Sequence, residues 1–416
     1  MSSRSRKTST NTIKVPGFQF AGVSCGIKKS RKKDLALIFS ERPATSAALF
    51  TTNQVKAAPV LVGMRRARRG KIQAVVVNSG NANACTGPRG VRDAEVMCRE
   101  AAERLGIDPE LVLPSSTGLI GVPLPMEKVR QGIARAVSLL SPSSFSQAAE
   151  AILTTDRFVK IASERCSLKG KKVVVAGMVK GAGMIAPNMA CPPSRSAGRR
   201  RATMLAYILT DAAVKPPCLR SILRQAADGT FNSVTVDGDM STNDTVLFLA
   251  NGYAGNSPAR LGTREERILA HAVREIARDL AIKLVEDGEG TTKVVEIRVE
   301  GARSVAEGKK VAFAVANSKL VKTAFFGSDP NFGRIMAAIG GAGVKIKPEK
   351  INVFFNHVQV VRKGVGLPGN ERLAARVLKR PSFAVRIQLR QGKESASVWT
   401  SDLSYEYVRI NSAYRT

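Results

Sequence analysis

Apolar and polar positions follow two different patterns along this chain. Residues 72–78 and 172–179 are short runs rich in β-branched side chains and bounded by polar residues, which predicts buried strands. Residues 93–105 and 265–286 instead place apolar side chains three or four positions apart, the spacing of one helix face. Because such stretches alternate to the end of the chain, the pattern predicts an α/β or α+β protein with mixed sheets.

The remaining segments fit the same alternation. Helices are predicted around 125–140 and 215–229, a strand within the apolar run that follows Thr203, and a strand and turn over 231–239. The glycine- and asparagine-rich stretch 79–90 and the segment 115–121 (SSTGLIG) are predicted as loops. Residues 191–202 (CPPSRSAGRRRA) have no apolar face and are also predicted as a loop.

Length and composition exclude a membrane-spanning protein. The chain has 416 residues, of which 44% are apolar, enough for a large core. No apolar run approaches the roughly 20 residues of a membrane-spanning helix. The basic segment before Asp34 lacks the apolar region of a secretion signal, so we expect a basic tail and a cytoplasmic protein without a membrane partner.

The charge is strongly positive, since 65 Lys and Arg against 33 Asp and Glu give a formal net charge of +32. Such a surface favours non-specific binding of polyanions at low salt. Aromatic residues make up only 5% of the chain, and no motif of a known nucleic-acid-binding module is present. We therefore expect no specific nucleic-acid partner.

Cysteine and histidine usage narrows the chemistry. The six cysteines are scattered without a CxxC pair, which argues against a disulfide framework and a zinc site. His271 and His357 have no potential ligand at metal spacing, so no metal site is predicted and both are interpreted as structural. An enzyme built on this chain must therefore find its general base elsewhere.

Several polar motifs are weak evidence individually. KGAGM (180–184) lacks the lysine and hydroxyl residue that end a P-loop, and 237–244 (DGDMSTND) lacks the closing glutamate of a calcium loop. The order of the motifs is more informative. Between residues 184 and 335 the chain contains, one after another, MIAPNMA, ATMLAYILTDA, SVTVDGDMSTNDT, DGEGTTK and KTAFFGSDPNFGRI. Together with 26–60 and 401–416, this order resembles the ornithine acetyltransferase (glutamate N-acetyltransferase) family over residues 17–416.

The resemblance implies a fold and an activity. The expected fold is an N-terminal-nucleophile-like αββα core over residues 1–280, with a smaller C-terminal α/β lobe over 281–416 whose tail returns to the active site. The expected reaction moves acetyl from N2-acetylornithine to glutamate in arginine biosynthesis by a ping-pong mechanism without a cofactor. Some family members also accept acetyl-CoA, an alternative that the residues here leave open. The expected assembly is a heterotetramer of two first chains and two second chains.

The resemblance also assigns the catalytic residues. Self-cleavage between Ala202 and Thr203 would give a first chain, 1–202, and a second chain whose terminal Thr203 is the nucleophile. The new α-amino group, with a pKa of about 8, could take the proton of the threonine hydroxyl, which explains catalysis without histidine. Thr117 and Gly118 match the oxyanion hole, a hydroxyl and a backbone N–H that stabilise the developing negative charge.

Six residues match the substrate site of the family. Lys180 suits a carboxylate and Glu289 an ammonium group, as the two substrates require. The full predicted set is Thr154, Lys180, Thr203, Glu289, Asn411 and Thr416, with Thr155 adjacent to Thr154 as an alternative.

The chain departs from the family at the cleavage site, where residues 191–202 are twelve extra residues. Cys191 stands where the family has its threonine, and a cysteine could serve as an N-terminal nucleophile. Pro192 and Pro193 follow it, however, whereas the family's Met-Leu-Ala strand follows Thr203, which therefore remains the predicted nucleophile. Two other functions remain open: an amidase or aminopeptidase on the same scaffold, and an unprocessed, inactive basic binding protein.

Overall fold

The computed structural model describes residues 12–190 and 204–413. The strands of these residues are β1 (Phe18–Val23), β2 (Leu35–Thr51), β3 (Lys71–Asn81), β4 (Val112–Leu119), β5 (Lys160–Leu168), β6 (Lys171–Lys180), β7 (Met189–Ala190), β8 (Leu205–Thr210), β9 (Val234–Thr235), β10 (Thr245–Ala250), β11 (Val294–Ala302), β12 (Asn352–Phe355), β13 (Val358–Arg362), β14 (Val365–Gly366), β15 (Ser382–Gln388) and β16 (Glu394–Ser401).

The helices of the same residues are α1 (Ala58–Ala67), α2 (Gly87–Leu105), α3 (Met126–Ser138), α4 (Phe145–Ala151), α5 (Pro216–Gly229), α6 (Arg264–Glu286), α7 (Val305–Ala316), α8 (Lys319–Phe326), α9 (Phe332–Gly340), α10 (Glu371–Leu378) and α11 (Tyr405–Ala413). In the part of the chain that the structure describes, no helix combines the length and apolar character needed to cross a bilayer.

The first sheet has the strand order β4-β3-β2-β10-β8-β6-β5, with β1 and β7 also paired to β2. The long strand β2 has an irregular register between Phe39 and Ala44, and its two halves belong to different parts of the sheet. The first half pairs with β1 and most of β3, whereas the second half pairs with β10, with the first two residues of β3 and with β7. Strand β2 therefore connects the two layers of a folded sheet.

Three apolar clusters show how this sheet is layered. One cluster lies between its two halves and contains Phe20, Val77 and Tyr207. The half formed by β1, the first part of β2, β3 and β4 packs its outer side on α2 and α3. The half formed by the second part of β2 with β10, β8, β6 and β5 packs its outer side on α5 and α6. The order helix, sheet, sheet, helix confirms the predicted αββα core.

The second sheet has the order β14-β13-β12-β15-β11-β16-β9 and carries its own apolar cluster beneath α7, α9 and α10. Helix α6 packs against β5 and β6 of the first sheet and also against β16 of the second. It begins after Thr263, whose hydroxyl accepts the Glu266 N–H at 3.2 Å and so caps the helix. This helix runs through residues 280 and 281, where the sequence analysis places the boundary between the core and the C-terminal lobe. The division into these two domains stays a prediction.

Two predicted loops were wrong in part. The segment predicted as a loop from residue 115 is strand up to Leu119, since Ser115–Gly118 align with Val77–Gly80 of β3. The stretch 79–90 is strand at its start, and helix α2 begins at Gly87, with Pro88 in its first turn. In both cases pairing or helix initiation outweighs the local turn preference of glycine and serine. The predicted strand over 231–239 is reduced to Val234–Thr235, after a 3₁₀ turn.

Candidate active site

A cavity of about 450 Å³ opens where the ends of β4 and β6 meet the segment after β9 and helix α11. Polar side chains dominate its wall, which carries the acidic Asp237, Asp239 and Glu289 together with the cationic Lys180. A substrate carrying both charges would find complementary groups here.

Six of the residues expected from the family resemblance line this cavity: Thr117, Gly118, Thr154, Lys180, Glu289 and Asn411. Thr155, the alternative to Thr154, lines it too. Ala202, Thr203, Thr416 and Cys191 lie outside the described residues. The fold thus brings together positions that are up to 294 residues apart, from Thr117 to Asn411.

The end of β4 presents Thr117 and Gly118 together. Thr117 Oγ accepts a hydrogen bond from Lys180 Nζ at 3.1 Å, which leaves the threonine hydroxyl proton available to another acceptor. Gly118 has φ +134°, and a Cβ atom there would lie 2.3 Å from the carbonyl carbon of Gly80 on β3. Only glycine fits this close strand contact, so the backbone geometry at this position depends on residue 118 lacking a side chain.

Lys180, the last residue of β6, is buried and oriented by two threonines. Its Nζ donates to Thr154 Oγ at 2.8 Å as well as to Thr117, and it lies 4.0 Å from Asp156 Oδ2. Burial lowers the pKa of Lys180, although the charge of Asp156 acts in the opposite direction. The ammonium group is therefore held in a fixed direction at the cavity wall.

Behind Lys180 runs a chain of buried charges that the sequence analysis did not find. Lys160 Nζ bonds Asp156 Oδ1 at 2.7 Å and also contacts the carboxylate of Asp287. Asp156 additionally accepts the Gly181 N–H at 2.6 Å. Burial would raise the pKa of Asp156, but the charges of Lys180 and Lys160 and these hydrogen bonds hold it below its ordinary value.

The i,i+4 spacing of Asp156 and Lys160 was visible in the sequence, but it is common on helices and carried no signal here. Asp287 belongs to the quoted motif DGEGTTK, yet nothing in that motif indicated that its carboxylate would meet Lys160. Only the packing of α6 against β5 brings these groups together.

The cavity wall also carries the carboxylate of Glu289, whose N–H donates to the Ala182 carbonyl at 3.0 Å. Asn411 of α11 donates from Nδ2 to Glu289 Oε2 at 2.9 Å, so the C-terminal helix reaches the cavity. Gly183 leaves space for this carboxylate in its present position, because a Cβ there would lie 2.4 Å from Glu289 Oε2. The neighbouring Asp237 accepts the N–H groups of Met184 and Ile185 at 2.6 and 2.9 Å, and burial raises its pKa to about 6.

The described ends on either side of residues 191–203 are not adjacent. Ala190 pairs with Phe50, Phe50 pairs with Thr245 across β2 and β10, and Thr245 pairs with Leu205. Three strand spacings of about 4.8 Å put Ala190 about 14 Å from Leu205. Strand β8 thus starts between β10 and β6, beside Lys180, with which Leu205 is in register.

The four-layer fold, with a polar cavity at the start of an inner strand, defines a protein of the N-terminal-nucleophile-like class. A sequence profile of the ArgJ family matches residues 19–416. The arginine biosynthesis bifunctional protein ArgJ of Geobacter sulfurreducens is 49% identical over 405 residues, covering 97% of this chain and all of the relative. The ArgJ protein of Symbiobacterium thermophilum is 47% identical over 402 residues, covering 96% of this chain and 97% of the relative.

A crystal structure of ornithine acetyltransferase from Mycobacterium tuberculosis, complexed with ornithine, is 41% identical to this chain. The match covers 42% of this chain and 94% of the crystallised chain, with a TM-score of 0.38. The family profile and the full-length relatives decide the question: this chain belongs to the ArgJ family. The resemblance drawn from the sequence motifs is confirmed.

Proposed function

We propose that this chain is an acetyltransferase of arginine biosynthesis that moves acetyl from N2-acetylornithine to glutamate. Family membership supports the activity. The observation that carries the proposal is the presence, in one cavity, of Lys180, of Thr117 and Gly118 at the end of β4, and of the Glu289 carboxylate. This arrangement provides for a substrate carboxylate, a developing oxyanion and an ammonium group.

In the first half-reaction, the freed α-amino group of Thr203 takes the proton from the threonine hydroxyl. The hydroxyl oxygen bonds to the acetyl carbonyl carbon, and the carbonyl oxygen becomes negatively charged as the tetrahedral intermediate forms. The Thr117 hydroxyl and the Gly118 N–H donate to that oxygen. When the carbonyl re-forms, the amide C–N bond breaks and the departing amine takes a proton, which releases ornithine.

In the second half-reaction, the amine of glutamate attacks the acetyl-threonine ester. Its N–C bond forms while the ester C–O bond breaks, and the threonine oxygen recovers a proton. The products are N-acetylglutamate and free Thr203. Because Lys180 already donates to Thr117, a carboxylate bound at its ammonium group would be placed beside the oxyanion site.

The remaining parts of this proposal concern further substrate contacts, a second acetyl donor, the assembly and the location of the protein. We propose Thr154 and Thr416 as further substrate contacts, acetyl-CoA as an additional acetyl donor, a heterotetramer of two first and two second chains, and a cytoplasmic location. Thr154 is supported by its 2.8 Å hydrogen bond with Lys180.

The test is to incubate the purified full-length protein with N2-acetylornithine and glutamate and to quantify N-acetylglutamate and ornithine in equal amounts. Thr203→Ala, which removes the nucleophile, is the matched control and should form neither product. Acetate in place of N-acetylglutamate would favour the amidase alternative. An uncleaved chain without product would favour the inactive binding protein, and replacing N2-acetylornithine by acetyl-CoA tests the second donor.

A further inference from the structure

The segment 241–245, which leads into β10, contacts both the end of β4 and the start of β8. Asn243, which is 2% exposed, donates from Nδ2 to the main-chain oxygens of Ser116 and Ala82 at 2.8 and 2.7 Å. Ser116 directly precedes Thr117. The side chain of Asn243 therefore holds the peptide that leads into the proposed oxyanion hole.

The next residue holds the opposite strand. Asp244 Oδ1 accepts the Met204 N–H at 2.5 Å, and the Met204 carbonyl accepts the Thr245 N–H at 3.0 Å. Met204 directly follows Thr203 in the sequence. Two consecutive side chains thus contact the peptide before Thr117 and the peptide after the proposed nucleophile.

The contacts favour positioning over substrate binding for Asn243. Both protons of its amide group are used by Ser116 and Ala82, and its Oδ1 accepts the Thr242 hydroxyl proton. No donor of this side chain is left for a ligand, although Asn243 lines the cavity. Asp244 is also fully buried, and its Oδ2 has no hydrogen-bond partner among the described residues. Burial raises the pKa of Asp244, with the Met204 N–H and Lys180 acting in the opposite direction.

We propose that Asn243 and Asp244 are positioning residues that fix the strand starting after Thr203 against the strand that carries Thr117. This inference rests on the proposed roles of Thr203 and Thr117. Reacting groups must be held to within about 0.5 Å, and supporting hydrogen bonds supply that precision. The segment 241–245 is itself anchored, because the Thr51 N–H donates to the Asp244 carbonyl at 3.0 Å and the Thr51 hydroxyl donates to the Ser241 carbonyl at 2.9 Å.

The experiment compares full-length wild type with Asn243→Ala, Asp244→Ala and the conservative Asp244→Asn. Asn256→Ala is the matched control, because Asn256 is also buried and bonds the backbone of Ala213, outside the cavity wall. The fraction cleaved before Thr203 is read from intact mass. The rate and half-saturation of ornithine release from N2-acetylornithine, without glutamate, are then measured per cleaved chain.

Because a misplacement of about 1 Å can cost about 100-fold in rate, Asn243→Ala and Asp244→Ala should each release ornithine about 100-fold more slowly. Half-saturation should stay within about threefold, since no ligand contact is removed. Asp244→Asn keeps an oxygen for the Met204 N–H and should recover to within about tenfold of wild type. Asn256→Ala should stay within about twofold of wild type, since its loss affects stability away from the site.

Equal rates for the Asn243→Ala, Asp244→Ala and Asn256→Ala proteins would overturn the inference. If wild type releases no ornithine, the proposed function fails, but the same samples still test positioning through cleavage. Slower cleavage in Asn243→Ala and Asp244→Ala than in Asn256→Ala supports the positioning role. Equal cleavage in the three proteins overturns that role. Should the alanine proteins not fold, Asn243→Ser and Asp244→Ser replace them with the same expected order of rates.

Discussion

Gly118→Ala is a direct test of the proposed oxyanion site. The new Cβ would lie 2.3 Å from the Gly80 carbonyl carbon and 2.5 Å from the Asn81 nitrogen. Both atoms belong to the backbone of β3, which cannot move aside as the end of a flexible side chain would. The β4 backbone must therefore shift or rotate, and the Gly118 N–H moves with it.

The size of the effect follows from this geometry. Ordinary contacts of a Cβ atom begin near 3.4 Å, so relief requires a movement of about 1 Å at residue 118. Loss of one oxyanion donor costs about 100- to 1000-fold in kcat, or about 2.7–4 kcal/mol of activation free energy. We expect a decrease of this size in the rate of ornithine release, with a much smaller change in KM.

Gly121→Ala is the matched control for this substitution. Gly121 also has a positive φ, +83°, but a Cβ there meets no atom within 4 Å. Alanine should cost about 1–2 kcal/mol of stability at this position through backbone strain, while kcat per cleaved chain stays near wild type. Thermal unfolding and pre-steady-state ornithine release separate the two effects. Comparable kcat values for Gly118→Ala and Gly121→Ala would refute the oxyanion assignment.

Three further predictions concern charge. Glu289→Gln should raise the KM for N2-acetylornithine about 10- to 100-fold in steady-state assays, because a charged hydrogen-bond partner of the substrate ammonium group is lost. An unchanged KM would contradict the proposed binding of that ammonium group by Glu289. Asp156→Ala removes one of the two carboxylates that contact the buried Lys160. The free energy of unfolding, measured in urea, should fall by about 3 kcal/mol. A loss below about 1 kcal/mol would show that the chain of buried charges is not stabilising. Burial lowers the pKa of Lys322 to about 7. Between about pH 7 and 10, Lys322 is therefore protonated in the unfolded chain but largely neutral in the folded chain. The contribution of Lys322 to the free energy of unfolding rises with pH over that window. Lys322→Met should remove this contribution and the exposed Lys319→Met should not, so equal pH profiles for the two variants would argue against it.

The fold class could be predicted from the sequence because its local and global signals agree. The apolar runs at β3, β6 and β8 form buried strands, and the amphipathic α6 buries the face that its helical period indicates. The segment 115–119 was missed as a strand because serine, threonine and glycine favour turns locally. Its strand conformation depends on pairing with β3, a partner more than 30 residues away in sequence.

The candidate site was predictable only where the family resemblance named residues. Thr117, Lys180 and Glu289 were found in this way, and the structure places all three in one cavity. Lys160 has no signal in the sequence, because its importance lies in two carboxylates brought to it by folding. The same holds for Asn243, whose partners at Ser116 and Ala82 precede it by more than 120 residues.

The central claim is that Thr203 carries the acetyl group between the two substrates. Its most direct test is to treat the full-length protein with N2-acetylornithine alone and to determine the mass and N-terminal sequence of each chain. We predict a second chain that begins at Thr203 and gains one acetyl group on that residue, which glutamate then removes. A second chain beginning at Cys191 with the acetyl on that cysteine, or a single uncleaved chain that gains no acetyl, would contradict the account.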